Sequence, residues 1–299
     1  MSRDRTPGPG ARSGSGPGVS GIARAPDASA GAGAVPVLMY HAVGDRPAAS
    51  TYGLSVTPGA FAEQMGVLHE RGFTPLTTRA LADAWRTGGG LPVRPVLITF
   101  DDGYEGVHRH ALPLLASYGF PATVFVSTAW LRGRYDQGRA PDAMLDWDQV
   151  RELASAGVEI GGHSHTHPQL DQLDGLRLGF EVRRCREIVA AELGTPPVSF
   201  AYPYGYSSRR VRDAVRAAGF TQSVAVGNDL ARRRQGPHAL RRMTVRRTTG
   251  TGEFAHLVEG RALARHFVTD RALTKGYAVV RRTRRATALA GSLLRGTRA

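Results

Sequence analysis

The sequence predicts an α/β protein, in which a barrel of parallel strands is surrounded by helices. Short apolar runs alternate with helix-like segments from residue 35 onward, and such alternation is typical of a parallel sheet. The unit of helix, Gly-Phe and strand recurs as ERGFTPL, SYGFPATVFV and AAGFTQSVAV. About eight such strands favour a (β/α) barrel over an open sheet. No GxGxxG motif follows the first strand, which counts against a dinucleotide-binding fold.

Each glycine of the repeated unit is expected to end a helix in the left-handed conformation. Each following strand is apolar throughout, as expected for a strand that is covered on both faces. The predicted strands are Val35–Tyr40, Phe73–Leu76, Val96–Phe100, Thr123–Ser127, Val158–Gly161, Val198–Tyr202, Gln222–Val226 and Arg241–Val245. The predicted helices are Pro58–Arg71, Thr78–Arg86, Tyr104–Tyr118, Asp146–Ala156, Leu176–Leu193, Ser207–Ala218 and Glu253–Phe267.

Length and composition fit one such barrel with tails. The chain has 299 residues, of which 41% are hydrophobic. Its single cysteine, Cys185, excludes an internal disulfide framework and is expected in the core. The net charge of +14 comes almost wholly from arginine, with Lys275 as the one lysine, so we attribute it to the coding bias of a GC-rich genome. No nucleic-acid-binding motif accompanies the charge, and we expect no nucleic acid partner.

Composition also divides the chain into parts. Residues 1–34, rich in Gly, Ser, Pro and Ala, are predicted to be a disordered arm. Residues 251–299 form a basic, partly helical tail, which is either solvated or an amphipathic segment that contacts an anionic membrane or partner. No signal peptide or transmembrane segment is visible, so we expect a cytoplasmic protein, and we expect it to be a monomer.

Polar clusters follow three of the predicted strands. Asp101 and Asp102 follow LITF, the stretch HSHTHPQL follows VEIGG, and AYPYG follows VSF. Residues at the carboxyl ends of barrel strands meet at one mouth. Two histidines and an aspartate there would form a catalytic metal site with an open position for water. His163 and His165 would share one face of a strand, whereas His163 and His167 would converge across a turn, so spacing leaves the pair open.

These motifs resemble a known family. TFDDGY, H-S-x-x-H followed by Pro and Leu, and FAYPYG have the order and spacing of the polysaccharide deacetylases, the NodB-homology domain of carbohydrate esterase family 4. The resemblance covers roughly Val35 to Arg247, and VLMYHAVGD and LDWDQVREL are similar to the subgroup that modifies exopolysaccharides. It implies a distorted (β/α) barrel, so residues 35–250 are expected to be a deacetylase catalytic domain.

The resemblance also implies roles for individual residues. Members of the family hold a divalent metal, usually zinc, which would be bound here by Asp102, His163 and His167, with Co²⁺ or Ni²⁺ as alternatives. Asp101 would be the general base, and the backbone N–H of Tyr204 would help to stabilise the oxyanion. The implied reaction removes N-acetyl groups from the amino sugars of a poly- or oligosaccharide. An O-acetyl esterase on the same scaffold and a catalytically silent glycan-binding module are the alternatives.

Two positions depart from the family pattern. Many members carry an arginine in the third motif that pairs with the catalytic base, and this chain has Ala201 there, so Arg241 or Arg242 would have to replace it. The late Leu-x-x-His motif that supplies the general acid in many members is also missing. Our candidate for the acid is His41, which follows the first strand, while His165 becomes a spacer.

Further side chains are candidates for contact with the sugar or have structural interpretations. His108 and His110, on the helix after Tyr104, are expected to be surface or packing residues. The candidates for contact with substrate are Tyr202, Pro203, Tyr204, Tyr206 and Trp147. For Trp147, which opens a helix, core packing is the alternative.

Overall fold

The computed structural model describes residues 33–296, with the side chains at positions 275, 282, 285, 286 and 288–296 excepted. Residues 1–32 of the predicted arm lie outside the described residues. The strands are β1 (Ala34–Val35), β2 (Val37–Tyr40), β3 (Thr74–Leu76), β4 (Pro95–Phe100), β5 (Thr123–Val126), β6 (Glu159–Gly162), β7 (Ser199–Ala201), β8 (Gln222–Val226), β9 (Ala231–Arg232) and β10 (Leu240–Thr244). The helices are α1 (Pro58–Glu70), α2 (Thr78–Thr87), α3 (Leu112–Tyr118), α4 (Trp147–Ser155), α5 (Gly175–Leu193), α6 (Arg209–Ala217), α7 (Thr251–Val258), α8 (Leu263–His266) and α9 (Val268–Gly296).

Parallel strands close into a barrel, which confirms the predicted fold class. The ring runs β2, β10, β8, β7, β6, β5, β4 and back to β2, and every neighbouring pair in it is parallel. Helices follow most of the strands, as parallel connections require. The carboxyl ends of seven strands therefore surround one mouth.

The eighth predicted strand, β3, pairs at the edge of β4 and does not enter the ring. It pairs with the first half of β4, at Pro95–Leu97, and β5 pairs with the second half, at Thr99 and Phe100. Because β2 pairs with β4 along the opposite edge, β3 and β5 share one side of the same strand. The sequence does not reveal which half of β4 each neighbour pairs with, although Pro75 within β3 is typical of an edge strand.

Alternate residues of the strands face two different cores. Leu38 of β2 and Ile98 of β4 belong to the large cluster that packs α1, α3, α4 and α7 against the barrel. Their neighbours Val37 and Leu97 belong to a second cluster with Phe125 of β5, inside the barrel. This period of two explains why the strands are apolar throughout, because both of their faces are buried.

The helix ends agree with the sequence signals. The glycines of the three repeated units, Gly72, Gly119 and Gly219, have φ values of 67°, 63° and 95°, as expected for left-handed residues that end a helix. Asp146 and Gln149 form a complete capping box at the start of α4. These local signals set where each connection turns back toward the barrel.

Two predicted helices differ in detail. Residues 253–267 were expected to form one helix, but α7 ends at Val258 and α8 begins at Leu263, with Ala262 at φ 54° between them. A left-handed residue cannot continue a right-handed helix, so the prediction of one helix is wrong. The helix before Tyr118 includes a π-helical turn at Val107–Ala111, where Pro113 cannot donate a backbone hydrogen bond to the preceding turn.

The backbones of Gly106 and Val43 lie close together, which leads to a prediction about stability. A Cβ atom added at Gly106 would lie 1.9 Å from the carbonyl oxygen of Val43, so the backbone would have to move. We expect Gly106→Ala to lower the free energy of unfolding by about 3 kcal/mol or more. Gly66 of α1 has only Tyr118 Oη near its added Cβ, at 3.9 Å, and Gly66→Ala should raise that free energy by about 0.5–1 kcal/mol. Urea denaturation of both variants tests the contrast, and equal stability of the two would contradict it.

Candidate active site

The predicted polar clusters meet at the barrel mouth. Asp101 and Asp102 directly follow β4, and His163 directly follows β6. Because β5 pairs with both β4 and β6, these loops are next-but-one neighbours at the carboxyl ends of the strands. All three side chains are buried, with exposed fractions of 3%, 5% and 2%. The fold therefore collects buried carboxylates and imidazoles at one place.

Asp102, His163 and His167 form a compact donor cluster. His163 Nε2 lies 3.2 Å and His167 Nε2 lies 3.3 Å from Asp102 Oδ1, and the three donor atoms lie within 4.8 Å of one another. Among the described residues, this is the group of His, Cys, Asp and Glu side chains whose geometry suits a metal ion. The structure thus brings His163 together with His167, and not with His165, at Asp102.

The cluster fits a zinc-like cation by its chemistry and its spacing. Zinc takes nitrogen and oxygen donors at about 2.0–2.2 Å in a tetrahedron, which puts donor atoms about 3.3 Å from each other. The two distances from Asp102 Oδ1 match that separation. That oxygen is buried and, apart from these two imidazole contacts, has no hydrogen-bond partner among the described residues, as expected for an atom placed to bind a cation.

The charges of the neighbouring groups, which outweigh burial, indicate that this site favours positive charge. Burial would lower the pKa of His163, but the carboxylates of Asp101 and Asp102 outweigh it and raise that pKa. Burial would raise the pKa of Asp102, but the charge of His167 and hydrogen bonds from both histidines hold it well below its usual range. Two buried carboxylates are therefore kept ionised beside the two imidazoles.

A backbone carbonyl orients the imidazole of His163, and a serine hydroxyl holds the backbone of His167. His163 Nδ1 lies 2.8 Å from the carbonyl oxygen of Ala201, which leaves Nε2 free to face Asp102. The backbone N–H of His167 donates to Ser164 Oγ at 3.0 Å. A contact like that of His163 Nδ1 fixes the ring orientation of a metal-binding histidine. Ala201, where a family arginine is missing, thus contributes its carbonyl oxygen to the site.

Glu181 accepts hydrogen bonds from the loop that joins His163 to His167. Its Oε2 atom accepts from the backbone N–H groups of His165 and Thr166, at 3.0 and 2.8 Å, and its Oε1 atom accepts from the Thr166 hydroxyl at 2.6 Å. Glu181 lies on α5 and is buried. This role of Glu181 was not predicted from the sequence, where the available signal was a lone acidic residue on the apolar face of a predicted helix.

Backbone strain is concentrated around the donor cluster. Seven described non-glycine residues have positive φ, and four of them belong to the polar clusters at the mouth. They are Asp102 (76°), Ser164 (68°), His167 (59°) and Tyr204 (60°). Such conformations each cost about 1–3 kcal/mol and persist where the surroundings impose them, most often at functional sites.

Asp101 does have an arginine partner. Arg242 of β10 donates from Nη1 to Oδ1 and from Nη2 to Oδ2, both at 2.6 Å, and its side chain is fully buried. Burial would raise the pKa of Asp101, but the Arg242 charge and then that of His163 hold it below its usual value. Arg241 points elsewhere and pairs with Asp229 at the surface. Of the two arginines weighed from the sequence, the structure therefore places Arg242 at Asp101.

Aromatic rings form the wall beside His167. The Trp130 ring centroid lies 4.4 Å and the Tyr204 centroid 4.8 Å from that of His167. Tyr206 stacks on Tyr204 at 5.8 Å with an interplanar angle of 20°. Tyr204 is 52% exposed, so part of this wall faces solvent at the mouth. Trp130, which follows β5 after a short loop, was not among the candidates predicted from the sequence.

His41 lies within electrostatic reach of the same cluster. It follows β2, and its Nδ1 atom is buried without a hydrogen-bond partner among the described residues. Burial lowers the pKa of His41, although the carboxylates of Asp102 and Asp101 oppose the shift. Tyr104, missed as a site residue although it ends TFDDGY, is also buried here, and burial followed by the Asp102 charge raises the pKa of its phenol.

Several candidates for contact with sugar are buried. Tyr202 is fully buried, and its hydroxyl contacts Ser223 Oγ at 2.6 Å and donates to the carbonyl oxygen of His238 at 2.9 Å. Trp147 is 5% exposed and belongs to the large core cluster. Pro203 is also buried. The side chains of these three residues therefore do not form a sugar-binding surface, because local packing covers them.

The other histidines and the cysteine have structural contacts. His165 Nδ1 lies 2.8 Å from Thr128 Oγ1, away from the donor cluster. His108 Nε2 pairs with Glu152 at 2.6 Å on the helix surface. Cys185 is buried, as expected.

Comparison with known proteins relates this site to a family. Residues 88–223, which include Asp101, Asp102, His163 and His167, match the family model described as polysaccharide deacetylase. This part of the chain is similar to the polysaccharide deacetylases. This confirms the resemblance drawn from TFDDGY, H-S-x-x-H and FAYPYG. Members of the family remove N-acetyl groups from polysaccharides.

Individual proteins show the same similarity. The chain is 27% identical over 211 residues to YxkH of Bacillus subtilis, which carries polysaccharide deacetylase in its name, and the match covers 71% of each chain. It is 25% identical over 229 residues to the poly-beta-1,6-N-acetyl-D-glucosamine N-deacetylase of Escherichia coli K12. That match covers 65% of this chain but only 34% of the E. coli protein. The structure of the Streptococcus pyogenes deacetylase PplD has the same fold, with a TM-score of 0.68, 22% identity, and coverage of 75% of this chain and 98% of that one.

Proposed function

We propose that this protein is a metal-dependent deacetylase that removes N-acetyl groups from the amino sugars of a poly- or oligosaccharide. One observation carries the proposal: the Asp102–His163–His167 donor cluster lies beside a second buried carboxylate, with Asp101 Oδ2 4.0 Å from His163 Nε2. Hydrolysis of an acetamide needs an electrophilic centre and a nearby proton acceptor. Similarity to the polysaccharide deacetylases and the E. coli relative, an N-deacetylase by name, point to the same reaction.

Asp102, His163 and His167 are proposed to hold the divalent metal. One carboxylate with two imidazoles is a donor set that suits zinc, with Co²⁺ and Ni²⁺ as alternatives. When bound, such a metal polarises a carbonyl group and lowers the pKa of a water molecule toward about 7. The protein's contribution is to hold three donors from two loops in place, through the contacts with Ala201 and Ser164.

Asp101 is proposed to be the general base. It would accept a proton from the attacking water as that water adds to the acetamide carbon. The bidentate contact with Arg242 fixes both carboxylate oxygens, and the lowered pKa keeps the group ionised at neutral pH. A base that is both positioned and ionised is what this step requires.

The Tyr204 backbone is proposed to stabilise the oxyanion. Tyr204 has φ 60° in the short helical turn Pro203–Gly205, a strained conformation of the kind that is concentrated at functional sites. Preorganised backbone donors of this kind lower the barrier of acyl transfer. The exposed part of the Tyr204 ring, stacked on Tyr206, is proposed to contact the sugar.

His41 is proposed to be the general acid that protonates the leaving amine. We expect His41→Ala to lower kcat on an N-acetylated sugar by about 10²–10⁴-fold. Hydrolysis of 4-nitrophenyl acetate should be nearly unaffected, because nitrophenolate leaves without protonation. Asp101→Asn should slow both reactions, since both need the base. If His41→Ala leaves kcat on the N-acetylated sugar unchanged, another group is the acid.

The substrate class can be tested directly by the release of acetate. Purified, zinc-loaded protein would be incubated with β-1,4- and β-1,6-linked N-acetylglucosamine oligomers and with O-acetylated sugars. We expect acetate and free amine from the N-acetylated oligomers. Acetate from the O-acetylated sugars alone would establish the esterase alternative. Binding of the oligomers without any acetate would establish a silent glycan-binding module.

We also infer that the protein works as a monomer and that its basic C-terminal tail contacts an anionic membrane. Each group assigned a role above belongs to one chain and lies at one barrel mouth. Within the described residues, no helix has the length and apolar character needed to cross a bilayer.

A further inference from the structure

The C-terminal helix α9 lies along the rim of the barrel mouth. Its inward-facing residues contact loops that follow the carboxyl ends of barrel strands. Asp270 pairs with Arg246 after β10 at 2.8 Å, and Arg271 donates to the carbonyl oxygen of Asn228 after β8 at 2.6 Å. Arg281 pairs with Asp171 after β6 at 2.9 Å, and its guanidinium lies 3.2 Å from the ring centroid of Tyr206 after β7. Arg281 is buried, with an exposed fraction of 9%. The helix is therefore fixed beside the active site by polar contacts along several turns.

The opposite face of α9 is exposed and uncharged. Leu273, Tyr277 and Val280, at positions i, i+4 and i+7, lie on one side of the helix and are 54%, 57% and 45% exposed. Between residues 268 and 283, the charged positions fall on the remaining part of the helical circumference. The exposed, uncharged residues on this face are Val268, Thr269, Ala272, Leu273, Gly276, Tyr277, Val279, Val280 and Thr283.

The same helix is strongly basic. Its 29 residues, about 43 Å of helix, include seven Arg or Lys residues and one Asp. Arg284 is exposed and lies one helical turn after Val280, the last of the three apolar residues on the outward side. A helix with an apolar face and arginines beside it is suited to lie in the interface of an anionic bilayer. There the apolar side chains leave water and the cations meet lipid phosphates.

We infer that the outward face of α9 lies flat on an anionic bilayer and holds the active-site mouth next to the lipid surface. The distance between the rim and that surface would be about one helix diameter, ~10 Å. A bilayer fits better than a polysaccharide, because a hydrated glycan offers no apolar layer for Leu273 and Val280. It also fits better than an acidic protein, because a single exposed helix is convex and a flat lipid interface covers it evenly. The inference extends the proposed membrane contact, and it does not depend on the proposed chemistry.

Cosedimentation of the full chain with vesicles tests the inference. The vesicles would contain phosphatidylcholine and phosphatidylglycerol at 7:3, with pure phosphatidylcholine for comparison. We expect binding to the anionic vesicles, weakened by 0.5 M NaCl, and little binding to the neutral ones. The double variant Leu273→Glu/Val280→Glu should lower the partition coefficient by at least about tenfold. Arg284→Glu should lower it by about fivefold or more.

A matched control lies on another helix. Leu176 of α5 is 86% exposed, so Leu176→Glu makes the same chemical change away from α9 and should bind vesicles like the wild type. Far-UV circular dichroism would show that every variant folds. Acetate release from a soluble oligomer is a separate readout, so failure of the proposed deacetylation would leave the vesicle result intact.

Three outcomes would overturn the inference. The first is a wild-type protein that does not sediment with the anionic vesicles. The second is a Leu273→Glu/Val280→Glu variant that binds them as well as the wild type. The third is a wild-type protein that does not bind vesicles but forms a dimer in analytical ultracentrifugation, where the double variant is a monomer. That result would identify the outward face of α9 as a protein interface.

Discussion

Replacing Arg242 with leucine is expected to abolish deacetylation and to lower the free energy of unfolding by about 3–5 kcal/mol. Asp101 and Arg242 are both buried and are joined by two 2.6 Å hydrogen bonds. Without the arginine, Asp101 would remain as an uncompensated buried carboxylate. Its pKa would rise, because burial would then act with less opposition. Urea denaturation and kcat measure the two effects.

The neighbouring arginine is the matched control. Arg241 has a half-exposed side chain that pairs with Asp229 at the surface, and such pairs contribute about 0–1 kcal/mol. Arg241→Leu should therefore change stability and kcat little. The double variant Asp101→Leu/Arg242→Leu should regain much of the stability but none of the activity, because a buried ion pair can be replaced by apolar side chains. Full activity of Arg242→Leu would show that Asp101 needs no partner.

Removing a donor of the metal cluster should abolish both metal binding and catalysis. We expect His167→Ala and Asp102→Asn to reduce bound zinc from one equivalent per chain to near zero. Because a metal supplies several kcal/mol of transition-state stabilisation, kcat should fall by about 10³-fold or more. Elemental analysis after dialysis and an acetate assay provide the two measurements.

His165 is the control for the metal prediction. It lies between the two histidines of the cluster in sequence, but its Nδ1 atom contacts Thr128 Oγ1 at 2.8 Å. His165→Ala should therefore keep one equivalent of zinc. If His165→Ala loses zinc while His167→Ala keeps it, the donor set proposed here is wrong.

Much of the fold could be predicted because residues close together in the sequence indicate the strands and the helix ends. Continuous apolar runs, Gly-Phe helix ends and the capping box at Asp146 each depend on nearby residues. The place of β3 could not be predicted, because it depends on which half of β4 each neighbour pairs with. The break at Ala262 was also hidden, since alanine is a good helix former and its left-handed conformation is imposed by the surrounding packing.

The site shows the same division between local and long-range information. The motifs identified the candidate donors, but spacing alone did not choose between His165 and His167 as the partner of His163. The pairing of Arg242 with Asp101 joins β10 to the end of β4 across the barrel, and sequence adjacency gave Arg241 an equal claim. Exposure was the least predictable property: Tyr202 and Tyr204 stand two residues apart, yet one is fully buried and the other is 52% exposed.

Titration of the metal-free protein with zinc tests the central claim most directly. The protein would be stripped with EDTA, dialysed, and assayed for acetate release from N-acetylglucosamine oligomers at increasing zinc-to-protein ratios. The predicted result is no acetate without metal, a linear rise in rate, and saturation at one equivalent of zinc. A protein that binds one zinc ion at the Asp102–His163–His167 cluster but releases no acetate from any acetylated sugar would contradict the assignment. So would a rate that EDTA leaves unchanged.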